Sequence, residues 1–298
     1  MPYTADSPIS SFRIVDKENE IRSATGFAED LCVVDSDITP EELGLSDHTS
    51  AGLFDLNAKN TIYAKNIHET LNPASLTKVM TAVIALENGQ PDDLLTASEN
   101  VKITEEGAQM IGLKPGDTMT LDQALHLLLI YSANDVAVLI AEGVGGSVDE
   151  FVNMMNEEAH AIGATNTHFS NPHGLTDENH YTTPYDLYLI MNDAIRYELF
   201  NEIIHMRDYQ TVYHTKDGKE KEANVETTNY YLSGNTKAPS GITVIGGKTG
   251  TTNAAGHCLI LLSRDTGSNP YISIIMKSGS RDDLYSYMTK LLELAAAK

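Results

Sequence analysis

The chain has 298 residues, of which 41% are hydrophobic, so it is long enough to bury the core of one large domain or two modest ones. Its 42 acidic residues against 20 basic ones give a formal net charge of -22, which argues against nucleic acid or an anionic membrane as a partner of the whole surface. No apolar stretch is long enough to span a bilayer, and residues 1–6 lack the basic and apolar regions of a signal peptide.

The first 48 residues are acidic and irregular, and we assign them no function. Two apolar runs within them, at residues 12–15 and 31–34, are candidates for short edge strands. Further on, residues 50–56 and 61–65 flank the turn-forming sequence NAKN at 57–60. This arrangement predicts a β-hairpin.

A helix is predicted to begin within residues 72–78, NPASLTK. Asn72 suits the N-cap position, Pro73 suits the first helical position, and an apolar face continues as far as residue 86. Ser75 then lies in the first turn, where free N–H groups and the helix dipole favour negative charge, and Lys78 lies on the same face. A hydroxyl beside an amine at a helix N-terminus is the arrangement of an activated nucleophile.

Residues 90–205 show a mostly helical pattern that is interrupted by Gly and Pro. Within it, Ser132-Ala133-Asn134 lies at the joint between two apolar helices predicted from residues 121–130 and 135–142. Polar side chains at such a joint can point into a cleft without disrupting the core. The two other Ser-x-Asn sequences, which begin at Ser98 and Ser233, lie in polar segments that are typical of turns.

The C-terminal third contains Lys248-Thr249-Gly250, which follows a strand-like run. Strands are predicted at residues 242–249, 257–263 and 271–277, and a helix at 282–296 closes the chain. Strands near both ends of the sequence therefore flank a helical insert. This order predicts an α+β fold with one sheet assembled from both ends of the chain.

Ser-x-x-Lys, Ser-x-Asn and Lys-Thr-Gly, in this order, resemble the signature of the penicillin-recognising serine hydrolases. The runs PASLTK (73–78), IYSAND (130–135), HFSNPHGL (168–175) and GKTGTT (247–252) narrow the resemblance to low-molecular-mass D-alanyl-D-alanine carboxypeptidases. The resemblance covers the chain from about residue 50 onward. It implies a two-lobed, β-lactamase/transpeptidase-like α+β fold, in which a five-stranded antiparallel sheet adjoins a mostly helical lobe. We predict an acidic N-terminal extension at residues 1–48 and a catalytic domain at 49–298, with the helical lobe inserted at about 90–205.

The resemblance also implies a mechanism. Ser75 attacks the carbonyl between two terminal D-alanines and expels the last one, and water then hydrolyses the ester. Unprotonated Lys78 would accept the serine proton, its pKa being lowered by burial and by the cation of Lys248. Ser132 would relay a proton to the leaving amine. Two candidates for the base stay open at this point, namely Lys78 and a Ser132–Lys248 pair.

Substrate-binding roles come from the same resemblance. Asn134 would hold the substrate amide, and the backbone N–H groups of Ser75 and Thr251 would form the oxyanion hole. The terminal carboxylate would be bound at the strand edge by Lys248, Thr249, Gly250 and Thr251. Arg281, which matches an arginine that relatives carry after the last strand, would bind it as well. Arg281 has an equally simple interpretation as a surface residue that begins a helix. Relatives often carry another arginine before the Lys-Thr-Gly strand, whereas residues 227–230 here, TTNY, contain none.

The partners implied are the peptidoglycan pentapeptide stem as substrate and β-lactam antibiotics as covalent inhibitors. Because family members act outside the cytoplasmic membrane, we expect an extracytoplasmic location, in the cell envelope or secreted, and a leader peptide that has been removed from this chain. We predict no cofactor and no metal, since His-Glu-x-x-His and Cys-x-x-Cys motifs are missing. His173 and His180 are interpreted as structural. Cys32 and Cys258 are interpreted as two buried, unpaired thiols in preference to a disulfide.

Two other functions remain open. A β-lactamase needs an added base to hydrolyse the drug ester, and class A enzymes carry a Glu-x-x-x-Asn after Ser-x-Asn; here Glu178 is followed by Thr182. A penicillin-sensing module that binds without turnover would also retain all three motifs.

Overall fold

The computed structural model describes residues 13–15, 21–23, 30–40 and 42–297 of the chain. Its strands are β1 (Arg13–Val15), β2 (Ile21–Ser23), β3 (Ser50–Asp55), β4 (Asn60–Lys65), β5 (Leu94–Thr96), β6 (Thr118–Thr120), β7 (Asp208–His214), β8 (Glu220–Glu226), β9 (Thr243–Thr252), β10 (Gly256–Arg264) and β11 (Pro270–Ser278). Its helices are α1 (Lys78–Asn88), α2 (Leu121–His126), α3 (Asn134–Gly145), α4 (Val148–Ala161), α5 (Pro184–Ala194), α6 (Glu198–His205), α7 (Tyr230–Ser233) and α8 (Arg281–Ala296). Short 3-10 turns occur at Ala74–Thr77 and Glu99–Val101, and a π-helical turn at Leu127–Tyr131.

The largest sheet has five antiparallel strands in the order β4-β3-β11-β10-β9. Strands β3 and β4 form the predicted hairpin, and the three strands predicted near the C-terminus complete the sheet. The predicted α+β fold, with a sheet built from both ends of the chain, is confirmed. Because β9 is an edge strand, one side of it has no strand neighbour within this sheet.

The two faces of the sheet pack against different layers because successive side chains of a strand point to opposite faces. On β10, Leu259 and Leu261 pack in one apolar cluster with Leu284 of α8. Ile260 and Leu262, which alternate with them, belong to the cluster of the helical lobe. Helix α3 lies inside that lobe, and its first eight residues are all buried. The site described below lies where this lobe meets β9.

A second antiparallel sheet, in the order β5-β6-β7-β8, was not predicted. Its β7–β8 hairpin lies in a polar stretch for which no secondary structure was predicted. Of the hairpin's strand residues only Tyr213, Ala223 and Val225 are buried. Charged residues dominate β8, and polar residues outnumber apolar ones in β7, so the apolar alternation that identifies a half-buried strand is weak.

The N-terminal residues that the structure describes include β1, which pairs with β2 and confirms a strand within the run at 12–15, Phe12 itself lying outside the described residues. The strand predicted at 31–34 is wrong. The Cys32 N–H donates to Tyr188 Oη at 2.8 Å and its thiol donates to Asp55 O at 3.3 Å, so single hydrogen bonds to a side chain of α5 and to the last residue of β3 hold this segment instead of a strand ladder. Ile38 pairs with Ala64 in an isolated bridge. The division of the chain at residue 48 stays a prediction.

Cys32 and Cys258 are both free and buried, as interpreted from the sequence. Among the helices in the described part of the chain, none is both long enough and apolar enough to cross a bilayer.

Candidate active site

Ser75 lies in the 3-10 turn Ala74–Thr77, which runs directly into α1. The predicted N-cap is wrong: Pro73 occupies the cap position, and the Asn72 amide donates to His180 O at 2.9 Å instead. Ala74 has φ of +48°, in the left-handed region that non-glycine residues seldom adopt. The backbone therefore turns sharply immediately before Ser75.

Lys78 is fully buried and its Nζ atom has three oxygen neighbours. It lies 2.9 Å from Ser75 Oγ, 2.7 Å from Asn134 Oδ1 and 2.6 Å from His173 O. Burial is the main cause that lowers its pKa well below the usual value, and the positive charge of Lys248 lowers it further. An amine held beside a hydroxyl in this way can become neutral and accept the hydroxyl proton.

Ser132 and Asn134 reach the site through an irregular joint, as predicted. The π-helical turn at Leu127–Tyr131 ends at Ser132, which has φ of +72°, and α3 begins at Asn134. Asn134 Oδ1 faces Lys78, and its Nδ2 has no acceptor in the part of the chain that the structure describes. Among the described residues, the Ser132 hydroxyl has no hydrogen-bond partner.

The Lys-Thr-Gly sequence lies in β9, at the edge of the sheet. Lys248 is 1% exposed, and burial lowers its pKa to about 7. Its ammonium donates to Thr249 O at 2.9 Å. Gly250 packs against the nucleophile turn so closely that a Cβ there would lie 3.0 Å from Ser75 N. A side chain at position 250 would therefore push β9 away from Ser75.

A cleft of about 620 Å³ opens over these residues. The predicted residues that line it are Ser75, Ser132, Asn134, Thr249, Gly250, Thr251 and Arg281. Lys78 and Lys248 are buried behind the reactive hydroxyls. The structure thus places all nine predicted site residues in or directly behind one cleft.

Arg281 begins α8 and reaches the cleft from the opposite side to the helical lobe. Its Nη1 donates to Tyr230 Oη at 2.8 Å, and its guanidinium lies 5.3 Å from the Tyr230 ring centroid. Tyr230 in turn stacks on Tyr285, with ring centroids 4.8 Å apart. The aromatic pair holds the guanidinium at the rim of the cleft. The interpretation of Arg281 as a residue that begins a helix is confirmed, and its role in binding the carboxylate stays a prediction.

The family model for D-alanyl-D-alanine carboxypeptidases, Peptidase_S11, matches residues 40–280. The chain belongs to this family. DacF of Bacillus subtilis, a D-alanyl-D-alanine carboxypeptidase, is 33% identical over 254 residues, covering 83% of this chain and 61% of that protein. DacA of Escherichia coli, named likewise, is 31% identical over 233 residues, covering 75% of this chain and 54% of that protein. The chain therefore spans less than two thirds of the length of these relatives.

The fold agrees with that of a solved structure in the same class. The crystal structure of the Streptomyces K15 DD-transpeptidase superposes with a TM-score of 0.76 and 27% identity, covering 83% of this chain and 96% of that one. The β-lactamase/transpeptidase-like fold implied by the sequence is confirmed.

Several residues that shape the site were not found from the sequence. Asp135, which is 1% exposed, accepts backbone N–H bonds from Ile111, Gly112 and Leu113 at 3.2, 2.9 and 2.9 Å. The Gln109 side chain donates to Tyr131 O, and the Gln109 backbone carbonyl accepts the Asn134 N–H. These bonds fasten the 105–113 loop, one wall of the cleft, to the Ser-x-Asn joint. Nothing in the loop's own sequence indicates this contact.

Two further contacts border the Lys-Thr-Gly strand. Thr228 Oγ1 lies 2.5 Å from Thr249 Oγ1, in the segment where relatives often carry an arginine. His257, opposite Thr251 in the β9–β10 ladder, has its Nδ1 atom 3.2 Å from Thr251 Oγ1. Burial and the charge of Arg281 both lower the pKa of His257.

The loop at 170–180 closes over the nucleophile turn from the other side. His173 O accepts from Lys78, and Pro172 O accepts from Thr81 at 2.6 Å. Gly174, at φ of +86°, touches the turn at a point where a Cβ would overlap Ala74 O. Only glycine fits here, both for its backbone angle and for the close approach. Within the described residues, no group of three or more His, Cys, Asp and Glu side chains could hold a metal ion.

Proposed function

We propose that this chain is a serine-type D-alanyl-D-alanine carboxypeptidase, which removes the terminal D-alanine from peptidoglycan stem peptides and is acylated by β-lactams. The observation that carries this proposal is the position of the buried Lys78 amine, 2.9 Å from Ser75 Oγ. The family relationship and the matching fold support the same activity.

The neighbours of Lys78 suit the neutral amine. Asn134 Oδ1 and the His173 carbonyl can only accept, so they take the two N–H groups of a neutral amine. The remaining lone pair then lies toward Ser75, whose hydroxyl can donate. This arrangement favours Lys78 over the Ser132–Lys248 pair as the base for acylation, because the Ser75 hydroxyl has its hydrogen-bond partner in Lys78.

The reaction then proceeds in two balanced stages. Ser75 Oγ bonds to the carbonyl carbon between the two D-alanines while its proton passes to Lys78. The C–N bond breaks, and the proton that Lys78 took from Ser75 passes through Ser132, which lines the cleft, to the leaving amine. Water hydrolyses the ester, adding its hydroxyl to the peptide and returning the proton to Ser75.

Substrate binding uses the edge of the sheet. An extended peptide can lie along the free side of β9, since an edge strand offers unpaired backbone groups. The free Nδ2 of Asn134 would donate to the peptide amide from the opposite wall. The N–H groups of Ser75 and Thr251 would receive the oxyanion, and the hydroxyls of Thr249 and Thr251 together with Arg281 would bind the terminal carboxylate.

The position of Glu178 favours slow hydrolysis of the β-lactam acyl-enzyme over β-lactamase activity. Loop 170–186 contributes Gly174, Leu175 and Thr176 to the cleft, whereas Glu178 lines a separate cavity. Glu178, the carboxylate considered as an added base for deacylation, therefore does not line the cleft that contains Ser75. We also propose that the protein acts outside the cytoplasm, where the stem peptide of peptidoglycan is exposed.

The decisive experiment combines labelling with turnover. The protein is incubated with a fluorescent penicillin, analysed by intact mass, and then assayed for D-alanine release from an acid-ended peptide. We expect one stable adduct on the peptide containing Ser75, release of D-alanine, and loss of both with Ser75→Ala. Fast drug hydrolysis would indicate a β-lactamase, labelling without turnover would indicate a sensor, and an adduct that survives Ser75→Ala would refute the proposed nucleophile.

A further inference from the structure

The peptide unit between Ala74 and Ser75 has an unusual set of constraints. Ala74 is held at φ of +48°, and such conformations persist only when the surroundings enforce them. The carbonyl of this unit accepts the hydroxyl of Thr77 at 2.8 Å. Because a peptide unit is planar, fixing the direction of the Ala74 carbonyl also fixes the direction of the Ser75 N–H.

The Thr77 hydroxyl is itself oriented by His180. The two side chains are each 1% exposed, and His180 Nε2 lies 2.7 Å from Thr77 Oγ1. The Ser170 N–H donates to His180 Nδ1 at 3.0 Å, so Nδ1 is the unprotonated nitrogen and Nε2 carries the hydrogen. The ring therefore donates to Thr77, whose only hydrogen goes to Ala74 O. Burial lowers the pKa of His180 to about 4, which keeps the ring neutral near pH 7.

The result is a directional chain of hydrogen bonds that ends on the nucleophile turn. It runs from the Ser170 N–H through His180 and Thr77 to the Ala74 carbonyl. Each link donates toward the carbonyl, and a hydrogen bond to a carbonyl also polarises the N–H of the same peptide unit. The mechanism described above uses neither His180 nor Thr77.

We propose that Thr77 and His180 are positioning residues that set the direction of the Ser75 N–H, the donor that receives the oxyanion during acylation. This rests on the proposed function. Misdirecting that N–H weakens an interaction that is strongest in the transition state, so kcat falls while KM stays nearly constant. Lys78 is not part of this series of hydrogen bonds. The pH at which activity rises should therefore be the same in variants of Thr77 and His180 as in the wild type.

The test compares Thr77→Val with Thr77→Ser, using peptide turnover, penicillin acylation and thermal unfolding. Valine keeps the volume and removes the hydroxyl, whereas serine keeps the hydroxyl and loses a methyl group. We expect Thr77→Val to lower kcat roughly 10- to 100-fold with KM unchanged, and Thr77→Ser to stay within about 3-fold of the wild type. A purely structural role predicts the opposite order, because packing would suffer more in the serine variant.

A second pair of variants decides the matter even where Thr77→Val does not fold. His180→Gln keeps a donor near the Nε2 position, whereas His180→Asn keeps only a group near Nδ1. We expect the lower kcat in His180→Asn. Equal kcat for Thr77→Val and the wild type, or a Gln variant as slow as the Asn variant, would overturn the proposal. Failure of the wild type to form a penicillin adduct would instead refute the proposed function, so the two failures are distinguishable.

Discussion

Replacing Lys248 with methionine should stabilise the protein in acid and remove its activity. Lys248 is 1% exposed, and its ammonium donates to one oxygen, Thr249 O. No carboxylate in the described part of the chain pairs with it, and burial lowers its pKa from 10.5 to about 7. The folded state therefore pays a free-energy cost to hold this residue when it is charged, and methionine fills similar volume with no charge.

The magnitude follows from the two pKa values. Between pH 10.5 and about 7 the unfolded chain holds a proton on Lys248 that the folded state lacks, so the free energy of unfolding rises with pH in this window. Each pH unit is worth about 1.4 kcal/mol where the difference is a full proton. From pH 6 to pH 9 the wild type should gain about 3 kcal/mol relative to Lys248→Met. Below pH 7 both states are protonated, and the cost reaches its full value of about 5 kcal/mol.

The assay is chemical denaturation of the wild type and Lys248→Met at pH 6, 7, 8 and 9. The two curves of unfolding free energy against pH should converge as pH rises, with the variant more stable at pH 6. Lys78 changes the difference between the two curves in the same direction, since removal of the Lys248 charge raises the lowered pKa of Lys78 toward its usual value. Lys237→Met, a change at an exposed lysine, should run parallel to the wild type. Parallel curves for Lys248→Met would show that the buried ammonium carries no cost, and would refute the reasoning.

Three other changes probe the remaining parts of the site. Lys78→Arg should abolish acylation, because guanidinium does not deprotonate. Wild-type activity should rise with pH through the lowered pKa of Lys78. Substantial labelling of the variant by penicillin would show that the base is another group. Arg281→Ala should cost roughly 1.5–3 kcal/mol in kcat/KM on an acid-ended peptide and much less on the matching amide. Equal losses on both peptides would make Arg281 a support for the fold. Asp135→Asn should lower the unfolding free energy by about 2–4 kcal/mol, because an amide NH₂ would face backbone donors; denaturation measurements showing a loss below about 1 kcal/mol would contradict this role.

Much of this protein could be predicted from sequence because the nucleophile and its base lie close together in the sequence. Ser75 and Lys78 are three residues apart, and helical geometry alone brings such residues together. The strands around Lys248 and the hairpin at 50–65 carry apolar patterns strong enough to identify them. The order of the three motifs then indicated the family and, through it, the fold.

Other features depended on contacts between distant segments, which no local pattern encodes. Whether Lys78 could be neutral was decided by its burial and by the charge of Lys248. The groups that enclose its amine include Asn134 and His173, which lie 56 and 95 residues away along the chain. The β7–β8 hairpin has too few buried residues to show an apolar period, so its existence depended on pairing with β6.

The tertiary structure also decided what holds the nucleophile turn. From the sequence, Asn72 was the expected cap, since isolated helix ends favour such a residue. The folded chain instead brings His180 against Thr77 from 103 residues away and uses Asn72 to anchor the backbone of His180. The hydrogen bonds that the buried loop supplies outweigh the local preference for a cap, because water does not compete for hydrogen bonds in the interior.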